Sequence, residues 1–530
     1  MQVTRSLVAV AVLAIVPGRA GADDATNDAT IDRRGSGDAP TDELDLRLTL
    51  SSLLYRESSG DADPFSMGGA PIEVASPVRR YFGDLRLELS GSGLAFDGRV
   101  RQTTSQRYQA GAGAGGEYEI RTLAYRLGAG LTKLVVGRQY VDAVGATKID
   151  GAAVLRRLSK VWAATLFGGA YPALGSRSID TDYPAIRKAD GTTGAPLIPI
   201  SGGLGISYNT PNVHGDLGAA AVFVAQDVPD AVAGAVADGT SAGRSRVFTT
   251  ASGYARPAAW LDCYHFALLD LAGGVHLTNG SAGINAHPMA NLQLSAAVNH
   301  VSTDLLQIAA RNVLSDPDPT AIGVVQNDIS VIRVSQDSVR GGTSVALHHA
   351  RFELSLSGGY HRRPGVAITQ PDGAQVTFPA ARSADTTLAV LDRKSIAGMR
   401  VSASASLTFP IGNEVPNRAR GGVVRLAAMR TFLDSRAELT ADLMLERFRD
   451  AASAKPCTDS LDVFACFSTS TTGGGQGGVL GSYRVAREWL VLLDTHIGLR
   501  DVHTSSVMGT IGWPRVFSLT AFARVQWRYR

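Results

Sequence analysis

The sequence predicts an all-β chain folded as a single closed antiparallel transmembrane β-barrel of about 16–22 strands, with long extracellular loops. Three observations predict it. An export signal stands at the start, no helix-length apolar run follows it, and apolar/polar alternation recurs from residue 44 to the end.

The start reads as a signal peptide over residues 1–22. Arg5 supplies the basic n-region, Leu7 to Val16 the apolar run, Pro17-Gly18 a helix breaker, and Ala20-Gly21-Ala22 a small-residue cleavage site. The apolar run falls short of the roughly 20 residues that span a bilayer as a helix. Mature chain is expected to begin near Asp23, with 23–43 an acidic, disordered lead-in that carries no periodicity. Beyond it the longest apolar stretch, Leu217 to Ala237, is cut by Asp227, Pro229 and Asp230, which excludes a helical membrane protein. The barrel is expected over 44–530.

Within that region successive residues alternate in polarity. Leu44, Leu46, Leu48 and Leu50 alternate with Asp45, Arg47, Thr49 and Ser51. Leu85, Leu87 and Leu89 alternate with Asp84, Arg86 and Glu88, and the pattern returns around Phe352, Met399, Leu439 and Phe517. Side chains in a strand point to opposite faces in turn, so each segment has one apolar and one polar face. A soluble sandwich also alternates. These segments, however, run for about 10–14 residues, against a usual soluble strand of about 5–6 and a membrane strand of roughly 9–11.

Asp434-Ser435 and Ala486-Arg487-Glu488 read as tight turns, and 56–79, 172–199, 227–245, 304–339, 363–395 and 450–476 as long insertions. The end of the chain is expected to hold two strands, 505–512 and 516–529. Counting back from the last strand then puts 450–476 on the same side as the C-terminus, against the rule that long loops share the opposite side.

Glycine accounts for 58 of 530 residues, charged residues for 19%, and mean hydropathy is +0.04, a balance suited to strands with one face in lipid and one in water. Formal net charge is +3, and loss of Arg5 and Arg19 with the signal leaves +1, which is no nucleic-acid footprint. Cys457 and Cys466, close together in a polar segment, are expected to form a disulfide after export, while Cys263 is expected to stay a free, buried thiol. Aromatics near proposed strand ends, among them Tyr55, Tyr81, Phe82, Tyr118, Trp162, Tyr171, Tyr208, Trp489, Trp527 and Tyr529, suit membrane interfaces.

In architecture, 44–530 resembles the porin-like outer-membrane β-barrels of Gram-negative bacteria. The last strand, with Phe517, Trp527 and Tyr529, is similar to the C-terminal assembly signal of such barrels, though the final residue is Arg530 and not phenylalanine. Val136-Gly137-Arg138-Gln139-Tyr140 through Ile149-Asp150-Gly151-Ala152 looks like their strand, loop and strand passages. The resemblance implies outer-membrane localisation, contact with outer-membrane lipid, and insertion by the barrel-assembly machinery.

No catalytic constellation or cofactor motif stands out, so no enzyme, metal or cofactor is expected. His348 and His349 point to opposite faces, so at most one joins a site with His361. Gly473-Gly474-Gly475 lacks the Lys-Ser/Thr of a phosphate cradle. Asp316-Pro317-Asp318-Pro319 lacks the ligand spacing and turn glycine of a calcium loop.

The polar strand faces remain. A charge facing lipid at mid-bilayer costs roughly 2–4 kcal/mol, so Arg47, Arg86, Glu88, Arg351, Glu353, Arg400, Glu438, Asp442, Arg524 and Arg528 are expected to line the lumen. With this many strands the lumen is wider than side chains alone fill. The expected function is passive passage of small hydrophilic solutes. The alternative is a non-conducting structural or surface-interaction barrel acting through its loops. A plug-bearing transporter fits less well, because only about 20 residues of disordered character precede the first strand.

Overall fold

In a computed structural model, the protein is described over 44–59, 78–105, 115–128, 130–172, 179–183, 185–187, 193–196, 198–223, 245–271, 274–302, 335–347, 351–369, 375–378, 380–396, 398–412, 420–451, 467–506 and 509–529. The expected signal peptide and lead-in, and Cys457, Cys466, His348 and His349, lie outside these residues.

Strands follow one another along the chain: β1 (Asp45–Ser59), β2 (Val78–Gly91), β3 (Leu94–Ser105), β4 (Gly115–Leu127), β5 (Thr132–Val141), β6 (Thr147–Arg157), β7 (Trp162–Ala170), β8 (Ala185–Arg187), β9 (Thr193–Pro196), β10 (Ile200–Asn209), β11 (Val213–Phe223), β12 (Ser245–Ala258) and β13 (Leu261–Asp270). The second half holds β14 (His276–Met289), β15 (Leu292–Ser302), β16 (Ser335–Leu347), β17 (Phe352–Arg363), β18 (Val366–Thr369), β19 (Gln375–Phe378), β20 (Ala381–Ile396), β21 (Met399–Pro410), β22 (Arg420–Phe432), β23 (Ala437–Ala451), β24 (Phe467–Arg484), β25 (Trp489–Ser506) and β26 (Gly509–Tyr529). β8–β9 and β18–β19 are small hairpins of their own, and the other strands make one 22-stranded sheet.

Every pairing in that sheet is antiparallel, and β1 closes it on β26 with Leu46 opposite Tyr529 and Ser59 opposite Val516. Closure leaves no edge strand, so backbone donors and acceptors are satisfied within the wall, as lipid requires. The first and last strands meet at one end of the barrel, called here the terminal end. Connections there are short, such as Ser92-Gly93, 158–161 and 433–436, whereas the far end carries 60–77, 224–244, 303–334 and 452–466.

Two expectations about strands need correction. The insertion at 363–395 contains a wall strand, β20. Its Leu388-Ala389-Val390-Leu391 is apolar on both faces, which hid the period of two. The proposed strand 505–512 straddles the end of β25 and the start of β26, and β26 runs on through 516–529 as one strand. Pro514 falls where the β25–β26 register slips, between Val502 opposite Trp513 and Arg500 opposite Val516. Proline has no N–H for the ladder, so the bulge admits it without ending the strand. With that strand merged, 452–466 moves to the far end, and the conflict over its side disappears.

Alternation sorts the wall into two faces. Leu46, Leu48, Leu50 and Leu54 of β1 share a face with Leu85, Leu87 and Leu89 of β2 and with Trp527 and Val525 of β26. That face is exposed, with Leu50 at 54%, Leu204 at 56% and Leu217 at 59%. From Leu46 to Leu54, at roughly 3.3 Å per residue and a tilt of about 40°, the stripe is about 20 Å tall, close to the roughly 25 Å apolar band of a membrane barrel. Trp162 packs on Tyr208 at 4.8 Å and Trp489 on Trp527 at 6.2 Å, both at the terminal end. Not every aromatic is interfacial: Phe82 lies under Arg101 at 4.2 Å on the other face, and Tyr171 is buried. Cys263 is free but only half-buried, on the lipid-side face with Leu261 and Leu269.

Candidate functional site

The opposite, inner face carries the charge, and the β1–β4 arc carries it most densely. In β1, Asp45 and Arg47 take the inner positions, and register sets Arg47 between Glu88 of β2 and Arg528 of β26. Arg528 Nη2 lies 2.7 Å from Asp45, and Arg47 Nη1 lies 3.4 Å from Glu88. Arg86 reaches Glu88 at 2.6 Å and Asp97 of β3 at 2.8 Å. Arg99 and Arg101 of β3 both bond the Asp84 carboxylate, and Arg101 continues to Glu117 of β4 at 3.4 Å. In this arc arginine and carboxylate thus alternate around the wall as well as along it, and each of these charges has a neighbour of opposite sign.

Other expected residues are spread over the circumference. Glu353 of β17 accepts from Arg393 Nε at 2.9 Å and from Ser344. Asp442 of β23 faces Arg425 at 3.3 Å and His496 at 3.7 Å. Arg400 and Glu438 occupy inner positions of β21 and β23, and Arg524 lies 5.2 Å from the Phe522 ring. Among the described residues none of these three forms an ion pair. Arg351 departs from expectation: it stands in the turn before β17, 3.6 Å from Asp392 and over the Phe352 ring, and not on a strand face. The structure therefore gathers Arg47, Arg86, Glu88 and Arg528 and leaves the others apart. His361 lies 2.6 Å from Asp385, which Arg340 also approaches at 3.3 Å.

What the sequence reading missed is that the tip of the β5–β6 hairpin turns inward. β4 pairs with β5 only over Leu123–Leu127 and Leu134–Arg138, so the seam opens beyond that point. Gly137 (φ +120°) takes a left-handed backbone there, and a Cβ on it would meet the Leu123 carbonyl oxygen at 2.1 Å. Past this bend the hairpin leaves the wall and its tip enters the barrel. The tip is a single 3-10 turn, Asp142–Val144. It lies on Gly205 of β10 and Gly218 of β11, both on the face opposite the exposed Leu204 and Leu217. Any Cβ at Gly218 would stand 2.4 Å from the Ala143 carbonyl oxygen and 2.7 Å from Val144. Val144, Ile149, Phe167, Val222 and Phe248 bury one another around it, an apolar cluster on an otherwise polar face.

A polar latch holds the bend. Arg138 donates to both oxygens of Asp150 at 2.6 and 2.5 Å, to the Ile120 carbonyl oxygen at 3.0 Å and to Asp182. Asp182 ends the helical turn Ile179–Asp182, which comes from the connection after β7. Tyr183 donates to Asp150 at 2.6 Å, and Lys148 lies 3.8 Å from Asp182. Burial, followed by the bond to the Asp150 carboxylate, holds the Tyr183 phenol above its ordinary range. Arg138 thus bridges the open seam from β4 through β6 to the helical turn. Glycine at 137 and again at 151 was the available signal for this bend.

No protein-family model and no curated protein matches the chain. Among solved structures it is similar to OccAB4 of Acinetobacter baumannii, at 10% identity and TM-score 0.33, over 92% of this chain and 98% of that one. A variant of the ferric enterobactin receptor of Pseudomonas aeruginosa aligns at 11% identity and TM-score 0.48, over 91% and 80%. A loop-deletion form of OmpT, an outer membrane protein of Vibrio cholerae, aligns at 10% and TM-score 0.28, over 92% and 99%. Independently of them, a closed 22-stranded wall with an apolar exterior and a charged interior has the build of a porin-like outer-membrane barrel.

Proposed function

We propose that the protein is a channel for small hydrophilic solutes, narrowed on one side by the inserted β5–β6 turn. The observation that carries this reading is the pairing of a 22-stranded circumference with a charged inner wall. A barrel of that size is wider than its own side chains fill, and a wall of guanidinium and carboxylate groups keeps the interior wet. Mixed signs favour passage by size and local field over one strong ionic preference. The Arg47, Arg86, Glu88 and Arg528 group lines the lumen in this reading, with Glu353, Arg400, Glu438, Asp442 and Arg524 elsewhere on the circumference. No reaction is assigned to it.

The test is single-channel recording on purified, refolded protein in planar bilayers. Stepwise conductance is expected. Its complete absence in correctly inserted protein would replace this reading with that of a closed barrel acting through its far-end connections.

A further inference from the structure

The outer face of the wall ends in arginine. On β23 the lipid-side residues Leu439, Ala441, Leu443 and Leu445 are followed by Arg447 and Arg449, both exposed. On β22 the same face runs from Leu426 and Val424 through Gly422 to Arg420, also exposed. Arg420 is the direct cross-strand partner of Arg449, and Arg447 stands opposite Gly422 one step nearer the apolar band. Three guanidinium groups therefore share one patch at the far-end edge of the band.

Like charges directly opposite on a sheet destabilise it, because their Cβ atoms are only about 4.5–5.5 Å apart. In the inner β1–β4 arc arginine is answered by carboxylate, but here it is not. Among the described residues no ion pair or side-chain hydrogen bond engages Arg420, Arg447 or Arg449. The partners across from β23 on this face are Thr471 and Gly473 of β24, and Glu446 belongs to the inner face with Asp442.

We propose that the Arg420–Arg447–Arg449 patch is a binding site for the phosphorylated headgroup of a membrane lipid. A phosphate between two facing guanidinium groups accepts charge-assisted hydrogen bonds from both and removes their repulsion. Position selects a lipid over a free anion. The patch adjoins Leu443, Leu445, Val424 and Leu426, so a headgroup seated on it lays its acyl chains along the apolar band. Arginine suits this interface because its stem lies along apolar surface while its head stays at headgroup level.

The experiment uses the full-length barrel in neutral detergent, with phosphatidic acid, phosphatidylcholine or inorganic phosphate added, and reads retained lipid by native mass spectrometry and the unfolding temperature. Phosphatidic acid is expected to be retained and to raise the unfolding temperature, with inorganic phosphate doing neither at the same concentration. The double variant Arg420→Gln/Arg449→Gln, checked for heat-modifiable migration, is expected to hold phosphatidic acid about thirtyfold more weakly. Equal retention of phosphatidic acid and phosphatidylcholine by the wild type would overturn the proposal, as would wild-type retention by the double variant. Protection by inorganic phosphate equal to that by the lipid would overturn the lipid assignment. Should the double variant not assemble, Arg447→Gln alone gives the same reading, with about fivefold weaker retention expected.

Discussion

Arg138 and Asp182 are 44 residues apart in the chain, yet the guanidinium of one donates to the carboxylate of the other at the open seam between β4 and β5. Their side chains are 11% and 4% exposed, so the contact is shielded from water. It ties the inserted hairpin to a connection that the sequence gives no reason to place there.

Removing that tie should loosen the hairpin. Asp182→Ala leaves a buried guanidinium with one carboxylate partner fewer and is expected to cost roughly 1.5–3 kcal/mol. Tyr183→Phe removes one hydrogen bond to Asp150 and is expected to cost about 1 kcal/mol. The midpoint temperature of heat-modifiable migration should fall in that order. Equal midpoints for wild type and Asp182→Ala would contradict the latch.

Gly218 makes a sharper test of where the tip sits. A leucine there has no room beside Ala143 and Val144 and should push the turn off the β11 wall. With Ala143→Cys as reporter, a water-soluble maleimide should label the Gly218→Leu background and spare the wild-type one. Single-channel conductance should rise in the same variant. Labelling at the same rate in both backgrounds would place the turn elsewhere.

Arginines differ in what they do to passing ions. Arg400 and Arg524 form no ion pair among the described residues, so Arg400→Glu/Arg524→Glu should shift reversal potentials toward cation selectivity. Arg86 already neutralises Glu88 and Asp97, so Arg86→Glu sets three carboxylates together and should lower stability. An unchanged reversal potential in the double variant would remove both residues from the ion path.

Leu50 and Thr49 are neighbours on opposite faces of β1, Leu50 paired with Leu85 and Thr49 with Arg86. An arginine at Leu50 faces lipid and is expected to cost about 2–4 kcal/mol, while one at Thr49 enters the lumen at far lower cost. Refolding titrations in denaturant compare the two, and equal losses would reverse or erase the face assignment.

Cysteine chemistry offers an independent check. Cys457 and Cys466 are expected to be bridged, and a loop this short gains roughly 2–3 kcal/mol from the cross-link. Thiol labelling of unreduced, denatured protein should then modify Cys263 alone. Modification of all three would reject the bridge.

By itself the sequence determined the two faces of nearly every long strand, and with them the barrel class. Strand geometry sends successive side chains to opposite sides whatever the partner, so Leu46 to Leu54 and Arg47 to Asp84 could be sorted by parity alone. Alternation failed where both faces are apolar, as in β20, and pattern alone did not join the two halves of β26, where a bulge absorbs Pro514. Tertiary structure decided the rest. Arg528 and Asp45 are 483 residues apart and meet only because β26 closes on β1. The inward bend of β5–β6 depends on Gly205 and Gly218, which come from strands beyond the hairpin and leave space for a backbone. Parity is local, whereas partners and free volume are set by which strands the closed wall brings together, and only the folded chain specifies them.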